Sequence, residues 1–336
     1  MHIPLVRASA FAPFVNYLLD HDPNLAKAEA PVKLSPAIVE DPDALVPFEP
    51  AITMIAHYAE KLDQPDLGLR VGHALRVDSL GTYGMLLART GTLADGLQTA
   101  CTAFPAMNSG AHLTVEPDGA FVWLRHAVVG KDRPGSAQAL QFTLVLLVDF
   151  VRMAAGREWM PSKALLPLLA QRQLPADSPY RAVTRVSPAN EAAIAIDAAL
   201  LHLPMNTPAN LPDLGPRWDQ FLANAPSKNF LRSLEQCLVP LMKSGQVSLE
   251  HVAAVSNFSV RTLQRRLDEE GVSFSEILDR TRTAEACRLL ETTDLKVIEI
   301  AYELGYAEPA SFTRAFTRWT GSSPARYRAD RRQRAA

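Results

Sequence analysis

Arginine and glutamine side chains stand at two points of the sequence where helical periodicity would place them on an exposed face. Gln264 and Arg265 belong to the segment Val260–Glu269, and Arg314 follows Arg265 by 49 residues. Arginine pairs with the O6 and N7 atoms of guanine, and glutamine pairs with N6 and N7 of adenine. These residue types, repeated at a fixed distance, indicate readout of base edges in the major groove of DNA.

A repeated pattern of small and apolar residues surrounds these side chains. Val252, Ala253 and Phe258 recur 48 residues later, and Leu263 and Leu267 recur 49 residues later. The matching residues of the second copy are Ile300, Ala301, Tyr306, Phe312 and Phe316. Each copy has the spacing of a short helix, a tight turn and a second helix, which predicts two helix-turn-helix motifs. The change of offset predicts one additional residue in the second turn.

The residue types at the turns fit this geometry. Ala253 and Ala301 are small, as is needed where two helices cross closely. Gly305 adopts a positive φ at little cost, and Asn257 tolerates the same backbone region in the first copy. Ser259 is a suitable N-cap for the helix that follows it. We therefore predict similar backbone conformations in the two turns.

Apolar pairs at a spacing of four residues fix the buried side of each second helix. The pairs are Leu263 with Leu267 and Phe312 with Phe316. The opposite sides, predicted to be exposed, carry Arg261, Gln264, Arg265 and Asp268 in the first copy and Ser311, Arg314 and Arg318 in the second. Between the copies, Phe274–Leu290 has helical periodicity and would span about 25 Å. Such a helix would set the two motifs in successive major grooves, about 34 Å apart, so double-stranded DNA is the expected partner.

Composition divides the chain near residue 226. Of 25 prolines, 21 precede that residue, as do 12 of 16 glycines. From Pro226 onward there are 14 arginines against 3 lysines and a net charge of +3, although the whole chain carries −2. Arginine suits contacts with phosphates and guanine. The sequence predicts a first domain at 1–210, a linker at 211–228 and a helical domain at 229–332.

The first domain has mixed periodicity. Strands and helices alternate there without a regular β-α-β rhythm, which predicts the α+β class. The patterns predict helices at 11–19, 51–62 and 138–155, a hairpin of 112–116 and 121–126 around Pro117–Gly119, and a further strand pair within 185–196. The long apolar helix is expected to pack against the sheet formed by the hairpin.

Several classes of protein are excluded by what the sequence lacks. Its three cysteines are scattered, and no histidine, cysteine or nucleotide-binding motif has the spacing of a metal, catalytic or cofactor site. The N-terminus does not resemble a signal peptide, and the apolar stretch 142–155 is too short to span a bilayer. We expect a cytoplasmic protein that is not an enzyme, binds no cofactor or metal and has no membrane partner.

A few polar residues of the first domain have two interpretations. Asp149 and Arg152 either face an effector cavity or pair with each other on a buried helix, and pairing is the preferred interpretation. Trp123, Arg125 and His126, on a predicted strand, are candidate pocket residues. At the other end of the chain, the arginines of 326–334 are interpreted as a solvated, frayed tail in which Arg328 is the ordered member.

The C-terminal third resembles the AraC/XylS family of bacterial transcription regulators. The resemblance covers about 230–330, with the two motifs at about 249–270 and 297–319. It rests on the segments Ile300–Tyr306 and Ser311–Phe316, on Gly321, Pro324 and Tyr327–Arg328, and on Leu263–Leu267 with Gly271 and Phe274. The family usually has phenylalanine at position 306 and lysine at position 317, where this chain has tyrosine and threonine.

The resemblance assigns roles to individual residues. Its reading helices correspond to positions expected to contact bases: Arg261, Gln264, Arg265, Ala310, Ser311 and Arg314. Contacts with DNA phosphates are expected from Ser259, Arg318 and Arg328. The core of the helix-turn-helix motifs is expected to comprise Ala253, Leu263, Leu267, Ala301, Gly305, Phe312 and Phe316. Because Ala310 has no polar group, its expected contact is apolar, as with a thymine methyl group.

The first domain resembles the arabinose-binding-type effector domain of some of these regulators. The resemblance rests on Gly68–Gly72, Leu80–Gly84, Thr92–Leu97 and Ala192–Pro204. It implies a regulator, expected to be an activator, that senses a small molecule of unknown identity and contacts RNA polymerase. A homodimer is a further expectation. The alternative is a ligand-independent regulator whose first domain serves only dimerisation or protein partners.

Two rival functions require features that the sequence lacks. A bifunctional DNA-repair enzyme with this DNA-binding module would need a cluster of reactive cysteines. A regulator with an amidotransferase-like first domain would need a β-α-β rhythm and a nucleophile elbow. Neither pattern occurs in the chain.

Overall fold

A computed structural model gives the fold of the chain. The structure describes residues 2–21, 41–129, 133–206, 211–243, 245 and 247–335. Contacts divide the chain into two compact units: an N-terminal unit that begins at Pro4 and extends to Pro226, and a C-terminal unit that includes the residues from Ser227 onward together with Ile3. Each unit has its own hydrophobic core.

The described strands belong to the N-terminal unit. They are β1 (Leu5–Arg7), β2 (Leu45–Pro47), β3 (Ala111–Asp118), β4 (Phe121–Val128), β5 (Ala164–Pro167), β6 (Thr184–Ser187) and β7 (Glu191–Asp197). β1 and β2 form a small antiparallel sheet, and the other five form a sheet in the order β3-β4-β7-β5-β6. All neighbours in the larger sheet are antiparallel except β5 and β6.

The β3–β4 hairpin confirms the prediction, with longer strands than expected. Asp118 pairs with Phe121, so the turn consists of Gly119 and Ala120, and Pro117 lies inside β3. Gly119 has a φ of 61°. Buried and half-buried residues alternate along β4. Because successive side chains of a strand point to opposite faces, one face of β4 belongs to the core.

The predicted strand pair within 185–196 is wrong in its pairing. Both strands exist as β6 and β7, but they are not hydrogen-bonded to each other. β5 lies between them, parallel to β6 and antiparallel to β7. The sequence predicted no strand at Ala164–Pro167, which is too short for a clear alternation. A parallel partner also requires a crossover connection, which no local pattern reveals.

Nine α-helices are described in the N-terminal unit. They are α1 (Ala12–His21), α2 (Phe48–Lys61), α3 (Leu67–His73), α4 (Gly81–Leu87), α5 (Leu93–Met107), α6 (Ser136–Ala155), α7 (Leu168–Arg172), α8 (Pro179–Val183) and α9 (Gly215–Ala223). α6 packs against the sheet at β7 and against α3. A Cβ at Gly68 would collide with the backbone of Gln138, and one at Gly72 would lie 2.8 Å from the Val145 side chain. These glycines therefore permit a close crossing of α3 and α6.

α6 is the core helix of this unit. Its 20 residues make it, within the described part of the chain, the helix long and apolar enough to cross a membrane. The predicted helix at 138–155 is confirmed and begins two residues earlier, at Ser136, so it is longer than the apolar stretch 142–155 that was expected to be too short to span a bilayer. Leu140, Leu144 and Val148 on this helix are fully buried. The helix thus serves the core of the unit, as expected from its packing against the sheet.

Asp149 and Arg152 of α6 have separate backbone partners, so the predicted pairing is wrong. A carboxylate oxygen of Asp149 accepts a hydrogen bond from the Val77 N–H at 2.8 Å. The Nε of Arg152 donates to the carbonyl oxygen of Trp159 at 2.8 Å. Each side chain satisfies a backbone group of a neighbouring segment, which removes the need for an ion pair between them.

A buried arginine ties the beginning of the N-terminal unit to its end. Arg7 in β1 is 2% exposed. Its guanidinium donates to the carbonyl oxygens of Ala106 at 3.0 Å, Phe221 at 2.6 Å and Asn224 at 2.9 Å, and it also donates to the Asp43 carbonyl. The group stacks over the Phe221 ring at 4.3 Å. Burial lowers the pKa of Arg7 to about 10, so the side chain remains charged at neutral pH.

The segment 211–228, predicted as a linker, contains a folded helix. α9 buries Phe221 in the core of the N-terminal unit, and Trp218 packs against the same core. The carbonyl groups at the end of this helix receive the hydrogen bonds of Arg7. The described part of this segment is therefore integral to the N-terminal unit up to Pro226.

The described elements of the C-terminal unit are all helical. They are α10 (Phe230–Lys243), α11 (Leu249–Val255), α12 (Val260–Glu269), α13 (Phe274–Thr292), α14 (Val297–Glu303), α15 (Pro309–Thr320) and α16 (Pro324–Ala335). The fold class is thus α+β in the N-terminal unit and all-α in the C-terminal unit, as predicted.

α13 separates the two helix-turn-helix motifs. It begins with a capping box, in which the Ser273 hydroxyl accepts from the Glu276 N–H at 3.2 Å and the Glu276 carboxylate accepts from the Ser273 N–H at 2.7 Å. The reciprocal bonds satisfy two N–H groups that would otherwise lack partners. The helix has 19 residues, which corresponds to about 28 Å.

The arginine-rich end of the chain is an ordered helix in the described residues, so the prediction of a frayed tail is wrong. α16 continues to Ala335. Arg331 pairs with Glu291 at 3.2 Å, and Arg332 pairs with Asp294. Acidic residues near the end of α13 therefore stabilise a helix whose own composition is strongly basic. These partners lie about 40 residues away in the sequence, which is why the local pattern did not reveal them.

Candidate nucleic-acid interface

The first motif is built around the C-terminus of α11. The Phe258 N–H donates to the Ala253 carbonyl at 2.8 Å, and the Asn257 N–H donates to the Ala254 carbonyl at 3.1 Å. Asn257 has a φ of 57°. These two bonds with a left-handed residue define a Schellman motif, which ends the helix and reverses the chain.

The second motif repeats this arrangement 48 residues later. The Tyr306 N–H donates to the Ala301 carbonyl at 3.0 Å, and the Gly305 N–H donates to the Tyr302 carbonyl at 2.9 Å. Gly305 has a φ of 76°. The repeat seen in the sequence is therefore a repeat of backbone hydrogen bonds, and the predicted positive φ values at Asn257 and Gly305 are confirmed.

The two motifs differ at the start of the second helix. The Ser259 hydroxyl caps α12 by accepting from the Thr262 N–H at 3.1 Å. α15 has no side-chain cap at Glu308 and has proline at its first position, where a missing N–H costs nothing. The first turn therefore ends at Ser259 and the second at Glu308, and the extra residue of the second turn follows Tyr306.

The predicted inner sides of the motifs are buried. Ala253, Leu263 and Leu267 are at most 2% exposed, and Ala301, Phe312 and Phe316 are fully buried. In the second motif the Phe312 ring lies 5.7 Å from the ring of Tyr306 and 5.7 Å from that of Phe316. Aromatic packing of this kind holds the turn residue Tyr306 against the buried side of α15.

The outer side of α12 presents polar side chains to solvent. Arg261 and Gln264 are exposed, and neither side chain has a hydrogen-bond partner among the described residues. Arg265 pairs with Glu269 at 3.2 Å, with 65% and 58% of the two side chains exposed. An exposed pair of this kind is worth at most about 1 kcal/mol, so it leaves Arg265 available to a stronger partner.

The outer side of α15 is smaller and holds one organised pair. The Arg314 guanidinium donates to the Ser311 hydroxyl at 3.0 Å, and the neighbouring Ala310 is exposed. Arg318 lies one turn further along the helix and pairs with Asp279 of α13 at 3.5 Å. Ser311 therefore orients Arg314 before any ligand arrives.

The residues predicted to contact phosphates have different surroundings. The hydroxyl of Ser259 is occupied by the α12 cap, whereas its backbone lies at the helix N-terminus. Arg328 donates to the carbonyl oxygens of Leu290 at 3.2 Å and of Leu295 at 2.6 Å. The geometry thus gives Arg328 two structural contacts. One is with the Leu290 carbonyl in the last turn of α13, where helices leave carbonyl groups without partners, and the other is with Leu295 in the segment that follows the helix.

Contacts missed by the sequence analysis hold the second motif against the rest of the C-terminal unit. The Arg282 guanidinium of α13 lies 4.9 Å from the centre of the Tyr306 ring. Lys243 of α10 pairs with Glu303 of α14 at 2.9 Å. These contacts join distant elements, so sequence spacing gave no signal for them.

The described residues bring no cluster of metal ligands to this surface. No group of three or more histidine, cysteine or acidic residues in the described ranges could hold a metal ion. Burial raises the pKa of the Cys237 thiol to about 12, which keeps it protonated and unreactive at neutral pH. The exposed chemistry of α12 and α15 is hydrogen bonding and positive charge.

Replacing Gly305 with alanine is expected to destabilise the C-terminal unit by more than the same change at Gly321. Both glycines have a φ of 76°, and a left-handed alanine costs about 1–2 kcal/mol. At Gly305 the new Cβ would also lie 2.7 Å from the Met242 carbonyl oxygen, whereas at Gly321 it meets nothing within 4 Å. Urea denaturation monitored by hydrogen exchange in 297–320 measures both losses, and equal losses would contradict the close approach at Gly305.

Two family models match the chain. The model of the arabinose-binding domain of AraC transcription regulators matches residues 20–205, and a helix-turn-helix model matches residues 252–330. Among curated relatives, the HTH-type transcriptional regulator VirS of Mycobacterium tuberculosis is 26% identical over 308 residues, with 88% of each chain covered. The ornithine utilization regulator of Pseudomonas aeruginosa is 25% identical over 305 residues, again covering 88% of each chain.

Solved structures with similarity to the chain are also transcriptional regulators. CdpR from Pseudomonas aeruginosa is 22% identical, covers 96% of this chain and 98% of its own, and gives a TM-score of 0.42. The DNA-binding domain of AdpA in complex with a target DNA is 35% identical, covers 31% of this chain and 94% of its own, and gives a TM-score of 0.28. The arabinose-binding-domain model alone spans more than half of the 336 residues. The chain therefore belongs to the AraC family of transcription regulators.

Proposed function

We propose that this transcription regulator reads a specific DNA sequence by placing α12 and α15 in two successive major grooves. The observation that carries the proposal is the duplicated turn: the same two backbone hydrogen bonds precede each helix, 48 residues apart. Each of these helices then presents exposed arginine to solvent. α13, at about 28 Å, is close to the spacing of about 34 Å between major grooves on one face of a duplex.

The outer side chains divide into base-reading and phosphate-binding roles. Arg261, Gln264 and Arg265 of α12 read base edges, because arginine and glutamine match guanine and adenine in the major groove. On α15, Arg314 reads a guanine, Ser311 orients it, and Ala310 contacts the groove without a hydrogen bond. Arg318 and the backbone at Ser259 bind phosphates, so the affinity falls steeply with salt concentration.

The N-terminal unit provides regulation in this proposal. A small molecule bound there changes the DNA binding of the C-terminal unit or its contact with RNA polymerase, and the outcome is activation of a bacterial operon. The protein acts in the cytoplasm, and the N-terminal unit also provides a homodimer contact. The alternative is a ligand-independent regulator whose N-terminal unit serves only dimerisation or protein partners. Binding of a small molecule inside that unit discriminates between the two.

Replacing Arg314 with alanine is expected to cost about 1–3 kcal/mol of binding free energy on the native site and to relax specificity at one base pair. The loss arises because a bidentate contact disappears while the rest of the interface remains. Footprinting of the top genomic site, followed by titration of all single-base variants of that site, measures the effect. Protection of two adjacent major grooves by the wild-type protein is the expected footprint.

Two control variants make this experiment specific. Arg314→Lys keeps the charge but lacks the rigid, planar pair of donors that fixes the contact with guanine, so it should show most of the loss of specificity. Arg326→Ala removes an exposed arginine of α16 that lies 3.9 Å from Asp330, and it should leave base preference unchanged. An equal loss of affinity on every sequence with Arg314→Ala would refute base reading by this residue. Absence of any sequence enrichment at all salt concentrations would refute specific DNA binding.

A further inference from the structure

The N-terminal unit contains a cavity of about 120 Å³. Its walls come from α5, α6 and β4, with contributions from α1, α2 and α4. Aromatic and aliphatic side chains dominate the lining, among them Phe104, Leu124, Phe142 and Phe150. Engineered apolar cavities of about 150 Å³ remain dry and bind benzene. This cavity therefore has the size of a guest with about one aromatic ring.

Of the described residues that line the cavity, four have polar side chains, and three of these already have partners. The hydroxyl groups of Tyr83 and Thr143 each donate to a backbone carbonyl at 2.9 Å. The side-chain oxygen of Asn108 accepts a backbone N–H at 2.7 Å. These three groups already form hydrogen bonds within the protein, so they contribute little to the recognition of a guest.

His126 is the fourth polar residue, and it differs from the others. Its side chain belongs to the buried face of β4, is 9% exposed and meets the Phe104 ring edge to face at 5.5 Å. Its Nδ1 has no hydrogen-bond partner among the described residues. Burial lowers the pKa of His126 to about 4, so the imidazole is neutral near pH 7. Because buried polar atoms are nearly always hydrogen-bonded, the imidazole of His126 is the group of the cavity wall that can form a hydrogen bond with one polar group of a guest.

The composition of the wall restricts the chemistry of that guest. No lysine, arginine, aspartate or glutamate is among the described lining residues. A carboxylate or an amino acid would lose its hydration without gaining an opposite charge. A sugar would bury several hydroxyl groups with too few partners, which carries a similar penalty. The sugar in the name of the matching domain model is therefore a poor guest for this cavity.

We propose that this cavity binds an uncharged, mostly apolar molecule of about one ring, with one hydroxyl or similar group hydrogen-bonded to the imidazole of His126. The inference rests on the proposed function, because it names the chemical class of the effector that acts on the N-terminal unit. Neutral imidazole accepts a hydrogen bond at one nitrogen and donates at the other. A phenolic hydroxyl, which can both donate and accept, can therefore pair with the ring in either tautomer.

Four probes of similar size test the proposal on the full chain. Isothermal titration calorimetry with phenol, toluene, benzoate and L-arabinose should show saturable binding of phenol and about 5- to 10-fold weaker binding of toluene, which lacks the hydroxyl. Benzoate and arabinose should not bind. Tighter binding of either of these than of phenol would overturn the proposal, as would absence of binding by both phenol and toluene.

Variants then locate the site. His126→Phe should remove the preference for phenol over toluene. Trp123→Phe is the matched control, because Trp123 lies on the other face of β4 and donates to Asp118 at 3.0 Å, and it should keep the preference. Ala139→Leu fills the cavity and should abolish binding of both guests. If a variant does not fold, a competition experiment on the wild-type chain takes its place. Toluene should displace phenol, and simultaneous binding of both would overturn the assignment to a single cavity.

The footprint of the unliganded chain on DNA distinguishes a failure of the proposed DNA-binding function from a failure of the cavity assignment. A chain that protects its site but binds none of the apolar probes retains the proposed DNA-binding function and loses this inference. If the chain binds phenol at the cavity but protects no DNA, with or without phenol, the cavity assignment stands. The proposed DNA-binding function is then wrong, and with it the role of the bound molecule as an effector.

Discussion

Replacing Phe312 with alanine is expected to destabilise the C-terminal unit by about 3–5 kcal/mol. The ring is fully buried between α14 and α15, and it contacts Tyr306 and Phe316. The change removes a large apolar surface and leaves a cavity beside the turn that sets the angle of α15. Hydrogen exchange in 297–320 under increasing urea measures the loss, since a global signal would combine the unfolding of two units.

Tyr302→Ala provides the matched control for this prediction. Tyr302 belongs to α14 but is 53% exposed, so its removal should change the free energy of unfolding by less than about 0.5 kcal/mol. Phe312→Ala should also reduce protection of the groove bound by α15 more than that of the groove bound by α12. Equal exchange in the two variants would show that the second motif does not depend on its aromatic core.

Acidification from pH 7 to pH 4.5 is expected to destabilise the N-terminal unit by about 2–3 kcal/mol through His126 alone. Burial lowers the pKa of this side chain from 6.5 to about 4, and the smaller effects of its own backbone, which raises the pKa, and of His112, which lowers it, act in opposite directions. In the unfolded chain the same imidazole takes up a proton near pH 6.5, whereas the folded chain does so only near pH 4. The unfolded state is therefore favoured as the pH falls through this interval.

Comparison of wild type with His126→Phe isolates this contribution from that of the carboxyl groups. The difference in unfolding free energy between the two proteins should change by about 2–3 kcal/mol between pH 7 and pH 4.5. It should be constant above pH 7, where the histidine is neutral in both states. His202→Gln, at an exposed histidine, should track the wild type at every pH. Parallel pH profiles of wild type and His126→Phe would contradict a buried neutral imidazole.

The helix-turn-helix motifs could be predicted from the sequence because their determinants are local. The Schellman turns depend on residues within five positions of one another. Their left-handed positions are occupied by Asn257 and Gly305, and asparagine and glycine are among the few residue types that accept a positive φ. Spacing alone also indicated that Leu263 and Phe312 would point inward. Their burial follows from helical periodicity, which a single sequence displays.

The sheet of the N-terminal unit depends on contacts that the sequence does not display. β5 has four residues, and its insertion between β6 and β7 joins segments separated by a crossover. Asp149 and Arg152 found backbone partners in other segments, although an i,i+3 ion pair was the simplest local solution. The two acidic partners of α16 are also distant in sequence. Long-range pairing of this kind requires the fold.

The sequence analysis included His126 among the candidate pocket residues, but it did not distinguish His126 from Trp123 and Arg125. Trp123, Arg125 and His126 were grouped as pocket candidates because they share a strand. The alternation of a strand places Arg125 and His126 on opposite faces. In the structure Arg125 pairs with Glu116 and Glu191, both at 2.9 Å, whereas His126 joins the core. The even-numbered residues of β4 other than His126 are the apolar Val122, Leu124 and Val128, and this pattern would have identified the face of His126 as the buried one.

The hydrogen bonds of Arg7 have a consequence for the modularity of the protein. Arg7 and Phe221 are separated by 214 positions, yet the guanidinium of one lies against the ring and the carbonyl group of the other. The first strand and the last helix of the N-terminal unit are thus held together by the contacts of one side chain. Such a unit can be exchanged between proteins as a cassette, because a new partner fused after Pro226 leaves both fastened ends undisturbed. A circular permutant that joins these ends through a short linker and opens the chain at Gly119–Ala120 should retain the fold.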